Sequence, residues 1–327
     1  MRGPSIDRFL RSNEWDMPFF KRLAHNDTGR ARGHQGGIVI PKELRKYFPR
    51  LDESGVSMFS PTCDRHLQAE LYVGTTYVGI VRTRYQIQTW GGTRQPESRI
   101  TENLAELRGH ANAGDLLIFQ RRADSTDRFR LLLLKQGTNA YDLVGNLVAS
   151  RRWGPLYSQD LPVSQEDLQV AHSNIETLSR SEFTLLAPRI QRVEARHTRI
   201  ARSAAFRDRI RMEYGYKCCV TGINLMTPTQ MHEVESAHVV PISEGGTDDI
   251  RNGIALIQTL HWAFDRGLFG ISSRRQVYIP NRILEMPEND FLRQFHGKSI
   301  SEATTQDFHV HKDALEWHLE HRVRQWE

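Results

Sequence analysis

With 327 residues and 39% hydrophobic content, the chain exceeds the usual domain size of roughly 100–200 residues and can bury more than one core. Its formal net charge of +5 suits a polyanionic partner without demanding one. No stretch approaches the roughly 18–20 apolar residues of a membrane span, Met1, Arg2, Gly3 and Pro4 start no signal-type apolar run, and three cysteines (Cys63, Cys218, Cys219) build neither a disulfide framework nor a four-cysteine zinc site.

These exclusions set the expectation of a soluble, cytoplasmic protein of two folding units. Residues 1–150 carry 22 basic and 16 acidic side chains, and the remainder 22 and 23, so the N-terminal half is the basic one. From Gly33 to about Val148 short apolar or alternating runs are broken by turn residues: Gly37 to Ile40, Leu71 to Thr83, Asp115 to Gln120 and Phe129 to Leu134. That pattern predicts a β-rich domain over 1–150. Pro41 followed by Lys42 to Tyr47, with Pro49 beyond, predicts one short helix within it.

Between 151 and 187 the chain turns polar, which predicts a linker; residues 188–327 form the second unit. From Arg189 to Lys217 nine basic residues stand against three acidic ones, and Arg189, Arg192, Arg196, Arg199, Arg207 and Arg211 share one helical face. Such a stripe is either an ordinary solvated face or a track for phosphates. Beyond it the pattern predicts strands at Cys218 to Thr221 and Val234 to Val240, a glycine-bearing loop, and a helix from Ile254 to Gly267.

The chemistry concentrates here. His238 is followed by Val239, Val240 and Pro241; Asn252-Gly253 comes fourteen positions after His238; and His261 follows nine positions after Asn252, leading into Phe264-Asp265-Arg266-Gly267-Leu268. With Cys218-Cys219-Val220-Thr221-Gly222 upstream, this resembles the HNH endonucleases and implies a ββα-metal fold with flanking helices. Cutting a phosphodiester needs a water nucleophile, a base to deprotonate it and a cation to neutralise developing charge. The resemblance makes His238 the general base, a neutral imidazole being able to take a proton at physiological pH. It makes Asn252 the residue that closes the loop after the second strand and holds the base, and His261 a metal ligand. Many members carry an Asp just before the base where this chain has Ala237. Strand alternation turns Glu233 and Glu235 to the side of residue 237, and Glu235 is the preferred substitute ligand. Asp265, one helical turn past His261, is either a further oxygen donor or a helix-stabilising carboxylate. Cys218 and Cys219 are read as packing residues, and His232, His309, His311, His318 and His321 as surface residues.

Asn26 to Lys42 and Gly92 to Thr101 resemble the N-terminal effector domain of the EcoRII restriction endonuclease, a DNA-binding pseudobarrel in which two loops grip the major groove. The resemblance places His34 in the first loop and Arg94, Glu97 and Arg99 in the second; Arg30 and Arg32, in the same first segment, are either further DNA contacts or flexible surface charge. Arg pairs with guanine and a carboxylate accepts from cytosine, so the set suits a short G·C-rich site. Gly92 and Val39 depart from a lysine and a tyrosine of that pattern.

The resulting expectation is an α+β, two-domain protein: a β-rich pseudobarrel that reads double-stranded DNA and a nuclease domain using a divalent ion, magnesium or manganese. It would act as a type II-like, site-specific restriction endonuclease, dimeric on DNA because one HNH site cuts one strand, with a DNA methyltransferase as possible cognate partner. The alternatives are a modification-dependent endonuclease and, in another class, a DNA-binding protein with a dead nuclease fold.

Overall fold

The computed structural model describes residues 6–12, 14–29, 36–53, 56–57, 59–89, 96–123, 125–187, 196–228 and 232–327. The chain divides into two compact units, Met1–Leu168 and Gln169–Glu327. Among the described residues no helix is long and apolar enough to cross a membrane.

The first unit contains α1 (Ile6–Leu10), β1 (Phe19–Arg22), β2 (Ile38–Ile40), β3 (Thr62–Val73), β4 (Thr76–Gln88), β5 (Glu97–Ile100), α2 (Ala105–His110), β6 (Leu116–Arg121), β7 (Arg128–Leu134), α3 (Asn139–Val148) and β8 (Trp153–Pro155). Its described strands make one curled eight-stranded sheet in the order β2-β5-β4-β3-β7-β6-β1-β8. The β3–β7 pair is parallel and the other pairs are antiparallel.

The apolar runs of β6 and β7 are continuous because both faces of these strands are covered. Leu117, Phe119, Phe129, Leu131 and Leu133 enter one core with Phe19, Phe48 and Tyr85; Leu116, Ile118, Leu132 and Leu134 enter another beneath α1 and α3. Phe48 stacks on Tyr85 and Phe129 at 4.8 and 5.2 Å between ring centres. The turn expected after Pro41 is a 3-10 helix, Lys42–Tyr47.

The run Leu71 to Thr83 is a reversal rather than one strand. Gly74, with φ of +63°, turns β3 into β4, a backbone region that suits glycine. The stretch 151–187, expected to join two domains, carries β8 at the sheet edge and a sixteen-residue helix, α4 (Gln165–Arg180).

The second unit continues with α5 (Arg196–Glu213), β9 (Glu235–His238), β10 (Gly253–Leu256), α6 (Gln258–Asp265), β11 (Gly270–Ile271), β12 (Val277–Tyr278), α7 (Asn281–Leu284), α8 (Asp290–Arg293) and α9 (Lys312–His318). Two sequence expectations are corrected here. Cys218 to Thr221 is a turn closed by Cys218 N–H on Ile223 O and Gly222 N–H on Cys218 O, and it docks through Cys219 N–H on Ala255 O. Ile254 to Leu256 belong to a strand, and the helix begins only at Gln258. A four-residue buried strand next to a helix has no period long enough to separate the two.

Candidate active site

The site is built on the β9–β10 ribbon, in which His238 pairs with Gly253 and Glu235 with Leu256. Alternation along β9 sends its side chains two ways. Ser236 Oγ donates to Arg207 O of α5, and the His238 ring lies on Phe206 of α5, 3.9 Å between centres and 6° from parallel. Glu235 turns instead to α6.

Gly253 explains why the motif asparagine is followed by glycine. A β-carbon there would lie 2.4 Å from Ile210 Cδ1 and 2.7 Å from Phe206 Cζ. The backbone at Gly253 is thus pressed against the ring on which His238 rests.

His238 keeps 18% of its side chain exposed, and its Nε2 sits 2.8 Å from Asp248 Oδ1. The second Asp248 oxygen forms an ion pair with Arg202 of α5. Burial opposes ionisation of Asp248, but the hydrogen bond with His238 and the Arg202 guanidinium outweigh it and hold the carboxyl below its usual range. Sequence reasoning missed both residues. Asp248 sits in the loop with an Asp neighbour, and Arg202 lies in a run of arginines, so neither carried a signal of its own.

Asn252 is fully buried. Its Oδ1 accepts from Val240 N–H (2.8 Å), and its Nδ2 donates to Val240 O (3.0 Å) and Thr247 O (2.8 Å). These bonds close the loop between β9 and β10.

On the α6 side, His261 Nδ1 lies 2.7 Å from Glu235 Oε2 and His261 Nε2 lies 3.7 Å from Asp265 Oδ2. The structure therefore brings Glu235, His261 and Asp265 together. His238 and Asn252 stand in a second cluster, with His238 three residues along the strand from Glu235, about 10 Å by strand rise. Among the described residues no group of three or more His, Cys, Asp or Glu side chains converges tightly enough to hold a metal ion by itself. The donor chemistry nevertheless fits a hard divalent cation, which generally takes one or two carboxylates and completes its shell with water and substrate phosphate. Nearby in sequence, Glu233 Oε2 is buried with no hydrogen-bond partner, and such an oxygen is satisfied by a cation or a proton.

Of the other histidines, His318 is buried rather than exposed, stacked 3.7 Å from the Phe264 ring, with Nε2 on Phe264 O at 3.0 Å. It packs under the helix that carries His261. Cys218 and Cys219 are buried, as expected.

In the first unit, Arg30, Arg32, His34 and Arg94 lie outside the described residues. Glu97 and Arg99 are described: they occupy one face of β5 and pair at 2.8 Å, while Ser98 and Ile100 point inward. β2 and β5 run antiparallel with Val39 opposite Arg99, so the segments leading into them leave from opposite ends of a pair about 10 Å long. The root of the first segment is anchored from within. Lys21 Nζ donates to Asp27 Oδ1 (2.6 Å) and Val39 O, and Asp27 also accepts from the N–H groups of Ala24 and Val39.

Residues 218–272 match the HNH endonuclease family, and residues 12–158 match the family of the restriction endonuclease EcoRII N-terminal region. The chain thus joins an HNH endonuclease region to an N-terminal region of the EcoRII type, as the motifs implied. Among solved structures it is similar to a modification-dependent TagI restriction endonuclease, at 20% identity and a TM-score of 0.30, over 37% of this chain and 38% of that one. The match therefore spans well under half of that protein's length. No curated protein matches the chain.

Proposed function

We propose that the chain is a site-specific, type II-like restriction endonuclease, in which residues 1–150 read a short duplex DNA site and residues 188–327 hydrolyse the phosphodiester. The carrying observation is the state of the two motif histidines. Each is held by a carboxylate, His238 by Asp248 and His261 by Glu235, while 18% and 24% of their side chains stay exposed. Buried structural histidines are sealed; these two are oriented yet open to a substrate.

In this reading His238 takes a proton from water as the water attacks phosphorus and the P–O3′ bond breaks. Asn252 holds the loop that ends at the base. His261, Glu235 and Asp265 would hold a divalent ion, magnesium or manganese, which would supply neutralisation of the charge that develops on the phosphate. Arg94, Glu97 and Arg99, with Arg30, Arg32 and His34, contact the recognition site.

The test is digestion of unmodified and cytosine-modified plasmid with magnesium or manganese by wild type and His238→Ala, with sequencing of the ends. Discrete fragments sharing a flanking sequence, absent in the mutant although it still binds DNA, are expected. Cutting of modified DNA alone would replace the proposal with a modification-dependent nuclease. No cutting of either substrate would leave a DNA-binding protein with an inert nuclease fold.

A further inference from the structure

Resting on the nuclease reading above, we infer that Asp248 and Arg202 are positioning residues that fix the tautomer and tilt of His238. The geometry is that of a three-part relay. Arg202 holds one oxygen of Asp248, the other faces His238 Nε2 at 2.8 Å, and Phe206 presses the ring flat from below.

Asp248 is buried and ionised, and a carboxylate anion can only accept a hydrogen bond. The proton on the neutral imidazole is therefore on Nε2, and Nδ1 carries the lone pair. A base must present its lone pair to the water it activates; a ring free to exchange tautomers would present it only part of the time. Arg202 has a separate duty. It keeps a buried carboxylate charged where desolvation would favour the neutral acid, and a neutral Asp248 could donate to Nε2 and invert the tautomer.

Among the described residues Asp248 is the one charged group bonded to the ring. Glu235 of the same strand turns to α6, the partner at His238 is Gly253, and Phe206 contributes no charge. Asn252, which clamps Val240, is neutral.

Two measurements test the inference. The first needs no activity. Nitrogen-15 NMR of histidine-labelled full-length protein, with the His238 signals assigned by loss in His238→Ala, reads the tautomer at a pH where the ring is neutral. A protonated Nε2 and a bare Nδ1 are expected, whereas the Nδ1–H form overturns the proposal even if the protein cuts DNA. The second is steady-state cleavage by Asp248→Asn, which keeps shape and loses charge. A fall in kcat of about 10²- to 10⁴-fold with KM little changed is expected, with the acid limb of the pH profile displaced and His238 appearing as mixed tautomers. Arg202→Lys, which retains a cation, keeps most of the activity, and Arg202→Met does not. Wild-type kcat and pH profile in Asp248→Asn would refute the inference. If the wild type cuts no DNA while the Nε2–H tautomer is found, the nuclease reading fails and the positioning stands.

Discussion

Asn252 has the largest structural leverage of any single residue in the site. Removing its amide leaves Val240 N–H, Val240 O and Thr247 O without partners in a fully buried place. Each orphaned group costs about 1–3 kcal/mol, so Asn252→Ala should lose on the order of 3 kcal/mol or more, read as a lower denaturation midpoint with an unchanged m-value. His318 gives a pH dependence of known sign. Burial is the main cause pushing its pKa down, to about 4 from 6.5, with the backbone bond to Phe264 O opposing in part. The unfolded chain therefore binds the extra proton first. Stability is complete above about pH 6.5 and falls as the pH drops toward about 4, by on the order of 3 kcal/mol. Urea titrations at pH 7 and pH 4.5 check this, and His318→Phe should lose that part of the difference.

At the scale of elements, α5 is where the two readings of the arginine stripe separate. The helix packs on β9 through Phe206 and on the loop beyond it through Arg202, which holds Asp248, so one of its faces is committed to seating His238. Arg199 is exposed and lies about one turn before Arg202. If it meets a phosphate, Arg199→Ala should weaken binding to all sequences alike and reduce the slope of log K against log salt by about 1. An unchanged salt slope would return the stripe to a plain solvated face. Arg189 and Arg192 lie outside the described residues, and Arg211 is drawn inward by its bond to Val234 O. The stripe seen by periodicity is thus not one uniform surface. The ribbon was harder to see than the helix because Ile254, Ala255 and Leu256 form a short buried strand running almost directly into α6, and a continuous apolar run does not reveal where extended backbone ends.

At the scale of the whole molecule, if the nuclease reading holds, a single HNH site cuts one strand, and cleavage of both strands at one site would take two protomers or two sequential engagements; we expect two protomers. Sedimentation of the full chain with a cognate duplex should give two protomers per site. One protomer per duplex that is nonetheless cut on both strands would mean sequential engagement by the same molecule.

The β-rich nature of the first unit and the HNH motif of the second were legible in the linear chain. Gly74, Pro41 and the Asn252-Gly253 pair act through local backbone geometry, and the spacing from His238 to His261 is a property of the chain alone. Only the tertiary structure decided which carboxylates meet which histidines. Asp248 reaches His238 across a loop of ten residues, Glu235 reaches His261 across a ribbon and a helix start, and Arg202 arrives from a helix more than forty residues upstream. Such pairings depend on packing, here on a bare glycine that lets Phe206 press against the strand, and a linear pattern does not record contacts made through the absence of a side chain.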